Sequence, residues 1–433
     1  MFVLKNIFLV VFLSVISVKA IANITILTVD SQQKTAQEIG YQLGIKIKEN
    51  FPYMEYRYDN YLNFLLSDSR FKQLNDQANL LKQQLNSDNR LEINAVADVL
   101  SLVSTDRLGD GKLSVNEFWL LQFLSDLTTI NKGVAISVFD PIQKTPIIAR
   151  NINWKNNSVL NPLHLITIYK SKKNTFVTVG FAGMLGVING FNRHGLFVSL
   201  INSSPQLQTA IISQNHQSVA FTLKNTLKKN TDISTASRFL HGRHYPHDQQ
   251  ILLADKKNVQ VLESPANIKK EGTVRLSNSP LVNRFSSFEN KSNQFILVGC
   301  FVLITSPKNC YSSNNYYRWN RLQQLLDSFD PSFPTTNLLT IMQDDNNHHQ
   351  SIFNDNVLQT LIFMPLNQTL YLYTYSNSES SKNDFQKLQL IENLESKDLD
   401  PEMLVFIISD IILIALLGSF FYYKKYKKLR IKS

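Results

Sequence analysis

Two neighbouring stretches decide how this chain is read: NKGVAISVFD (Asn131–Asp140) and PIIARNINW (Pro146–Trp154). Both are short, rich in β-branched residues and bounded by polar turns, so they read as strands. Upstream the pattern is different. AQEIGYQLGIKIKENF, YDNYLNFLLSDSRFKQLNDQANLLKQQL and INAVADVLSLV carry apolar residues at three- and four-residue intervals, which predicts a mainly helical region over 36–126. Downstream, HLITIYK, TFVTVGF, GVINGFN and GLFVSLIN continue the strands. Helices follow around VAFTLKNTLKKN and ISTASRFL, then strands in QQILLADKKNVQVLES, a helix in YYRWNRLQQLLDSF, and strands in VLQTLIFMP and QTLYLYTYS. Elements in blocks, without βαβ alternation or repeats, predict a layered α+β domain with its β-rich part at 127–376.

The chain has 433 residues, enough for a large core, and its ends are distinctive. Residues 1–22 combine Lys5, an apolar run from Ile7 to Val18, and small residues at Ala20 and Ala22, the pattern of a cleaved signal peptide. MLVFIISDIILIALLGSFFYY (Met403–Tyr423) is long enough to cross a bilayer. The basic tail KKYKKLRIKS at 424–433 marks its cytoplasmic side, with the body outside and 377–402 as a polar stalk. Asp410 lies inside the span, either in a helix–helix contact or as a tolerated acid near its edge. The formal charge of +10 is concentrated in the tail and leader, so the body is close to neutral and has no nucleic-acid footprint. Cys300 and Cys310 are the two cysteines; in an oxidising compartment they can close a small loop, and free thiols are the alternative.

From residue 106 onward the order of segments becomes specific. GDGKLSVNEFWLLQFLSDL, NKGVAISVFD, PIIARNINW, GFAGMLGVINGFNRHGLFVSLIN, LVNRF and VLQTLIFMPLNQTLYLYT together resemble the isopenicillin N acyltransferase-like amidases. Those are relatives of acid ceramidase and choloylglycine hydrolase within the N-terminal-nucleophile (Ntn) hydrolases, which act on linear amide C–N bonds. The resemblance spans roughly 36–376. It implies an αββα sandwich of two antiparallel sheets between helical layers, and a precursor that cuts itself before a Cys. That Cys then supplies both thiolate and amine base for attack on an amide. No cofactor or metal is implied, and the implied ligand is a small amide or acyl compound.

The residues that would carry this chemistry are altered. The nucleophile position falls on Gly133; a shift of one or two residues gives Val134 or Ala135, which have no nucleophile either. The family's arginine–asparagine–x–aspartate segment stands here as Arg150, Asn151, Ile152 and Asn153. The resemblance gives Arg150 an orienting role, while the acid has become an amide that cannot accept a proton at ordinary pH. Asn283 in LVNRF matches an oxyanion donor, beside Arg284 where His or Tyr is usual, and Asn192 matches the asparagine of the GFNRHG turn, a substrate-binding candidate with a structural role as the alternative. Loss of nucleophile and acid together points to a pseudoenzyme, each loss raising the barrier by several kcal/mol. The competing expectations are an active hydrolase using Ser137, Thr128 or Thr129, and an adhesion or scaffold ectodomain that kept only the fold.

Three other signals have plainer readings. DRLGDGKLSVNE (Asp106–Glu117) almost fits a calcium loop but has Leu108 where a ligand belongs; Ser114 and Glu117 fit a capping box equally well. HGRHYPHD gathers His241, His244, His247 and Asp248, yet Pro246 breaks any helix that would align them, so a polar loop is expected. Glycosylation sequons stand at Asn23, Asn156, Asn202, Asn290 and Asn367.

Overall fold

The computed structural model describes residues 24–128, 132–154, 157–203, 212–266, 272–276, 294–303, 314–345, 351–374 and 386–389. The leader at 1–22, the span at 403–423 with Asp410, and the tail at 424–433 lie outside these residues. Among the described residues no helix is long and apolar enough to cross a membrane.

The helical region forms as its periodicity predicts. Helix α1 (Ala36–Asn50) opens on a capping box in which Thr35 and Glu38 satisfy each other's backbone N–H groups, and it buries Ile39, Leu43 and Ile47 along one stripe. Helices α2 (Met54–Leu65), α3 (Asp68–Gln84), α4 (Ser87–Val99), α5 (Val115–Gln122) and α6 (Leu124–Leu127) follow. Helix α1 lies against α4 at Gly40 and Gly44. A Cβ on Gly40 would stand 2.4 Å from the Glu92 carbonyl oxygen and 2.7 Å from the Ala95 Cβ.

The loop before α5 is closed by its own groups. Asp106 accepts from Ser114 Oγ at 2.7 Å and Asn116 Nδ2 at 2.8 Å, and Asp59 of α2 accepts from the Gly109 and Gly111 N–H groups, both at 2.6 Å. Ser114 and Glu117 form the capping box of α5, and burial pushes the Glu117 carboxyl above its usual range. Among the described residues no cluster of three or more His, Cys, Asp or Glu is arranged to hold a metal.

Two sheets follow. The eight-stranded sheet runs in the order β1 (Thr25–Asp30), β4 (His164–Lys170), β5 (Phe176–Phe181), β6 (Asn189–Asn192), β7 (Phe197–Asn202), β8 (Gln249–Ala254), β9 (Val259–Ser264), β10 (Thr273–Leu276). The six-stranded sheet runs β11 (Gln294–Leu297), β2 (Lys132–Phe139), β3 (Pro146–Asn153), β12 (Val357–Met364), β13 (Thr369–Thr374), β14 (Gln386–Gln389). Strand alternation builds the layers. On β2 and β3, Ala135 and Ile148 face inward against Ile166, Val177 and Phe191 of the other sheet. Val134, Ile136, Ile147 and Ala149 face outward under helices Asn314–Asp327 and Pro334–Met342, meeting Trp319, Leu322 and Met342. The N-terminal helices, with α8 (Val219–Lys229) and α9 (Ile233–Leu240), cover the larger sheet. The result is a four-layer αββα sandwich of the expected α+β class.

Three points depart from expectation. The larger sheet is mixed, because β1 pairs parallel to β4, and no strand was expected within residues 24–35. Inside the stretch read as stalk, Gln386–Gln389 pairs with β13, since Leu388 alternates into the apolar layer between the sheets. The sequon at Asn202 is fully buried, which excludes a glycan there, whereas Asn367 is exposed in the β12–β13 turn. Cys300 is buried and disulfide-bonded; Cys310 lies outside the described residues.

The close approach of α1 and α4 is testable. Gly40→Ala should destabilise the protein by roughly 1–3 kcal/mol through overpacking, despite alanine's better helix propensity. Denaturant unfolding measures this, and an unchanged midpoint would mean that the helices separate at no cost.

Candidate functional site

The strand pair β2–β3 sets the geometry at the expected nucleophile. Gly133 is the second residue of β2 and lies opposite Ile152, with φ at +135°. That backbone conformation belongs to glycine, and a Cβ built there would lie 1.9 Å from the Asn151 carbonyl oxygen. Position 133 therefore excludes any side chain while the strands keep this pairing.

Arg150 and Asn153 lie three residues apart on one strand, so they point to opposite faces. Arg150 points inward and is fully buried. Its Nη1 donates to Asn189 Oδ1 at 3.2 Å on β6 and to Ser199 Oγ on β7, and Ser199 Oγ donates to Asn189 Oδ1 at 2.7 Å. Burial pushes the guanidinium down to about 9. Asn153 points outward toward the C-terminal helices, donating to Asn354 Oδ1 at 3.3 Å while its own Oδ1 is buried without a partner. Between them Asn151 is fully committed, donating to the Met342 and Ile352 carbonyls and accepting from Thr360 Oγ1.

Lys132 pairs with Asn153 across the two strands, and Arg318 lies close enough to disfavour its charge. Burial is the main cause that holds the Lys132 amine below its usual range, with Arg318 second; burial also lowers Arg318. Chemically, this corner supplies two cations and an uncommitted amide oxygen. Neither cation is a nucleophile positioned by a base.

The remaining candidates are dispersed. Asn192 spends both ends of its amide on the fold, donating to the Leu227 and Asn230 carbonyls and accepting from the His194 and Leu196 N–H groups. Asn283 and Thr129 lie outside the described residues. Ser137 faces the layer between the sheets, buried, with no hydrogen-bonding partner for its Oγ, so no base activates it. Thr128 Oγ1 donates to the Leu124 carbonyl at 2.5 Å, which ends α6. In the histidine loop, His244 bridges to His216, while burial lowers His247, whose ring contacts the Leu127 backbone.

Sequence reasoning missed two polar residues whose hydrogen bonds lie at the end of α6. Asn202 Nδ2 donates to the Thr128 carbonyl at 2.9 Å. Asp126 of α6 accepts from Ser218 Oγ at 2.7 Å and the Val219 N–H at 2.6 Å, fixing the start of α8. The sequence signal for Asp126 was an acid inside the largely apolar run LLQFLSDL.

No family model and no curated protein sequence matches the chain. Among solved structures, an N-acylethanolamine-hydrolysing acid amidase orthologue from Caenorhabditis elegans is 14% identical, with a TM-score of 0.40 over 54% of this chain and 92% of that one. A penicillin V acylase from Agrobacterium tumefaciens is 10% identical, with a TM-score of 0.37 over 56% and 82%. A mutant conjugated bile acid hydrolase from Clostridium perfringens is 13% identical, with a TM-score of 0.34 over 60% and 93%. All three are likenesses at low identity.

Asp126 generates a pH prediction. Burial raises its carboxyl from 3.8 to about 7, against the pull of its two hydrogen bonds. The folded state then holds a proton that the unfolded chain releases, so this group's contribution to stability falls as pH rises from about 4 to about 7. The slope is at most about 1.4 kcal/mol per pH unit. Asp126→Asn should flatten that part of the stability–pH curve and gain relative to the parent above pH 7 in urea unfolding. Parallel curves for the two proteins would refute the assignment.

Proposed function

We propose that this chain is a non-catalytic relative of the Ntn amide hydrolases: a membrane-anchored, extracytoplasmic domain that binds a small acyl-amide or peptide-like ligand. The observation that carries the non-catalytic part is Gly133. Its positive φ and the Asn151 carbonyl at 1.9 Å from a built Cβ leave no place for a nucleophilic side chain at the position where the resemblance expects one. Asn153 in place of the acid, and Arg150 absorbed into the core, support the same reading.

The ligand assignment rests on what the corner offers. Lys132 and Arg318, close enough for the second to disfavour the charge of the first, favour an acidic end. Membrane anchoring rests on the sequence of 403–433, and the disulfide at Cys300 suits an oxidising compartment.

Two measurements test this proposal. The purified chain should run intact, with no cleavage at Lys132–Gly133 by mass spectrometry, and should release no amine from N-acyl amino acids, N-acylethanolamines or bile-salt amides. Turnover that disappears in Ser137→Ala would replace the proposal with an active hydrolase. Gly133→Cys combined with Asn153→Asp should neither self-cleave nor hydrolyse, and Gly133→Ala alone should cost at least about 1–3 kcal/mol of stability. Recovery of amidase activity in the double variant would show that β2 can shift enough to seat a thiol.

A further inference from the structure

On the helical side of the larger sheet, away from β2, lies a cavity of about 510 Å³. It is enclosed by the end of β1, the first turns of α1 and α4, the β4–β5 turn and the last turns of α8. Its floor is a buried triad. Lys224 Nζ stands 2.7 Å from Glu92 Oε1 and 3.1 Å from the Tyr169 hydroxyl, which donates to Glu92 Oε1 at 3.0 Å. The triad is internally satisfied and closes the floor of the cavity without using up the charge of the rim.

The rim is cationic. Lys34 pairs with Asp30 at 3.9 Å and Lys228 with Asp88 at 3.5 Å, whereas Lys173 and Lys229 have no ion pair among the described residues. The first residue of α1, Ala36, also lines the cavity, adding the positive end of a fifteen-residue helix. The nearby acids are accounted for: Glu92 and Asp88 by their lysines, and Glu38 by the Thr35 cap.

A second observation points to a ligand. Asn89, only 4% exposed, lines this cavity and the adjoining one of about 210 Å³, and its Nδ2 is buried with no partner. An unmade hydrogen bond of this kind costs about 1–3 kcal/mol, so the donor calls for an acceptor. The wall opposite is apolar, formed by Ile39, Phe176 and the Tyr169 ring, with Tyr169 stacked on Phe176 at 4.5 Å between ring centroids. We propose that this cavity binds a small organic anion, a carboxylate or phosphate ester. Its oxyanion head meets Lys173, Lys229 and Asn89, and its apolar body lies against Ile39 and Phe176. The site is separate from the Gly133 corner and does not rest on the amidase-like reading.

Calorimetric titration of the full-length chain at low salt tests it, with phenyl phosphate, benzoate, inorganic phosphate and phenethylamine as probes. Phenyl phosphate or benzoate should bind, phenethylamine should not, and inorganic phosphate should bind at least tenfold more weakly than phenyl phosphate. The exposed pair Lys173→Glu with Lys229→Glu should weaken binding at least tenfold at an unchanged unliganded melting temperature. Should that pair fold poorly, Lys173→Gln with Lys229→Gln should still weaken it about threefold. Failure of both organic anions to bind, equal binding of inorganic phosphate, or full affinity in a folded rim variant would each overturn the proposal. None of these outcomes bears on amide turnover, which is read at β2.

Discussion

A single cation buried between two β-sheets is the constraint on which the rest of this fold depends. The Arg150 guanidinium sits on β3 of the smaller sheet and is held by Asn189 and Ser199 on the larger one. A charge in that layer is tolerable only with its hydrogen bonds made, since stripping it of partners costs several kcal/mol. Apolar contacts between sheets tolerate sliding; this one does not. It fixes β3 against β6 and β7, and through β3 it fixes β2, whose first residues pair with the residues just beyond Arg150.

That fixed register explains why position 133 has no room for a side chain. With Gly133 paired to Ile152 and the Asn151 carbonyl turned toward it, the backbone occupies the volume a nucleophile would need. Arg150 is drawn inward as part of the core, while Asn153 turns outward toward Lys132 and Arg318. Uncommitted binding capacity lies elsewhere, at that outward corner and in the lysine-rimmed cavity beside α1, α4 and α8. In both places cations lie near an amide group with an unmade hydrogen bond.

Much of this was legible in the sequence. The stripe Ile39, Leu43, Ile47 announced α1, and alternation announced β2 and β3. The opposite facing of Arg150 and Asn153 was not read from the sequence, which grouped them at one site, although strand parity separates residues three apart. Other features depend on partners distant in sequence. Nothing in TILTVD shows that it pairs parallel to β4, and QKLQ is too short and polar to be read as a strand without β13 beside it. Asn189 and Ser199 look like ordinary polar residues until Arg150 is placed against them. The basic cavity was illegible for the same reason: Lys173, Asn89 and Lys229 belong to three separate elements.

The parallel pairing of β1 has a consequence for the order of assembly. This strand emerges from the ribosome ahead of every helix described above, yet its partner β4 follows the whole helical region. Until β4 is made, β1 has no edge to join, and closing so long a loop is entropically costly. Its pairing therefore waits until β4 has been made, after helices α1 to α6. A chain that stalls before residue 170 would display an unpaired, apolar edge, the form of nascent protein that chaperones of the folding compartment bind.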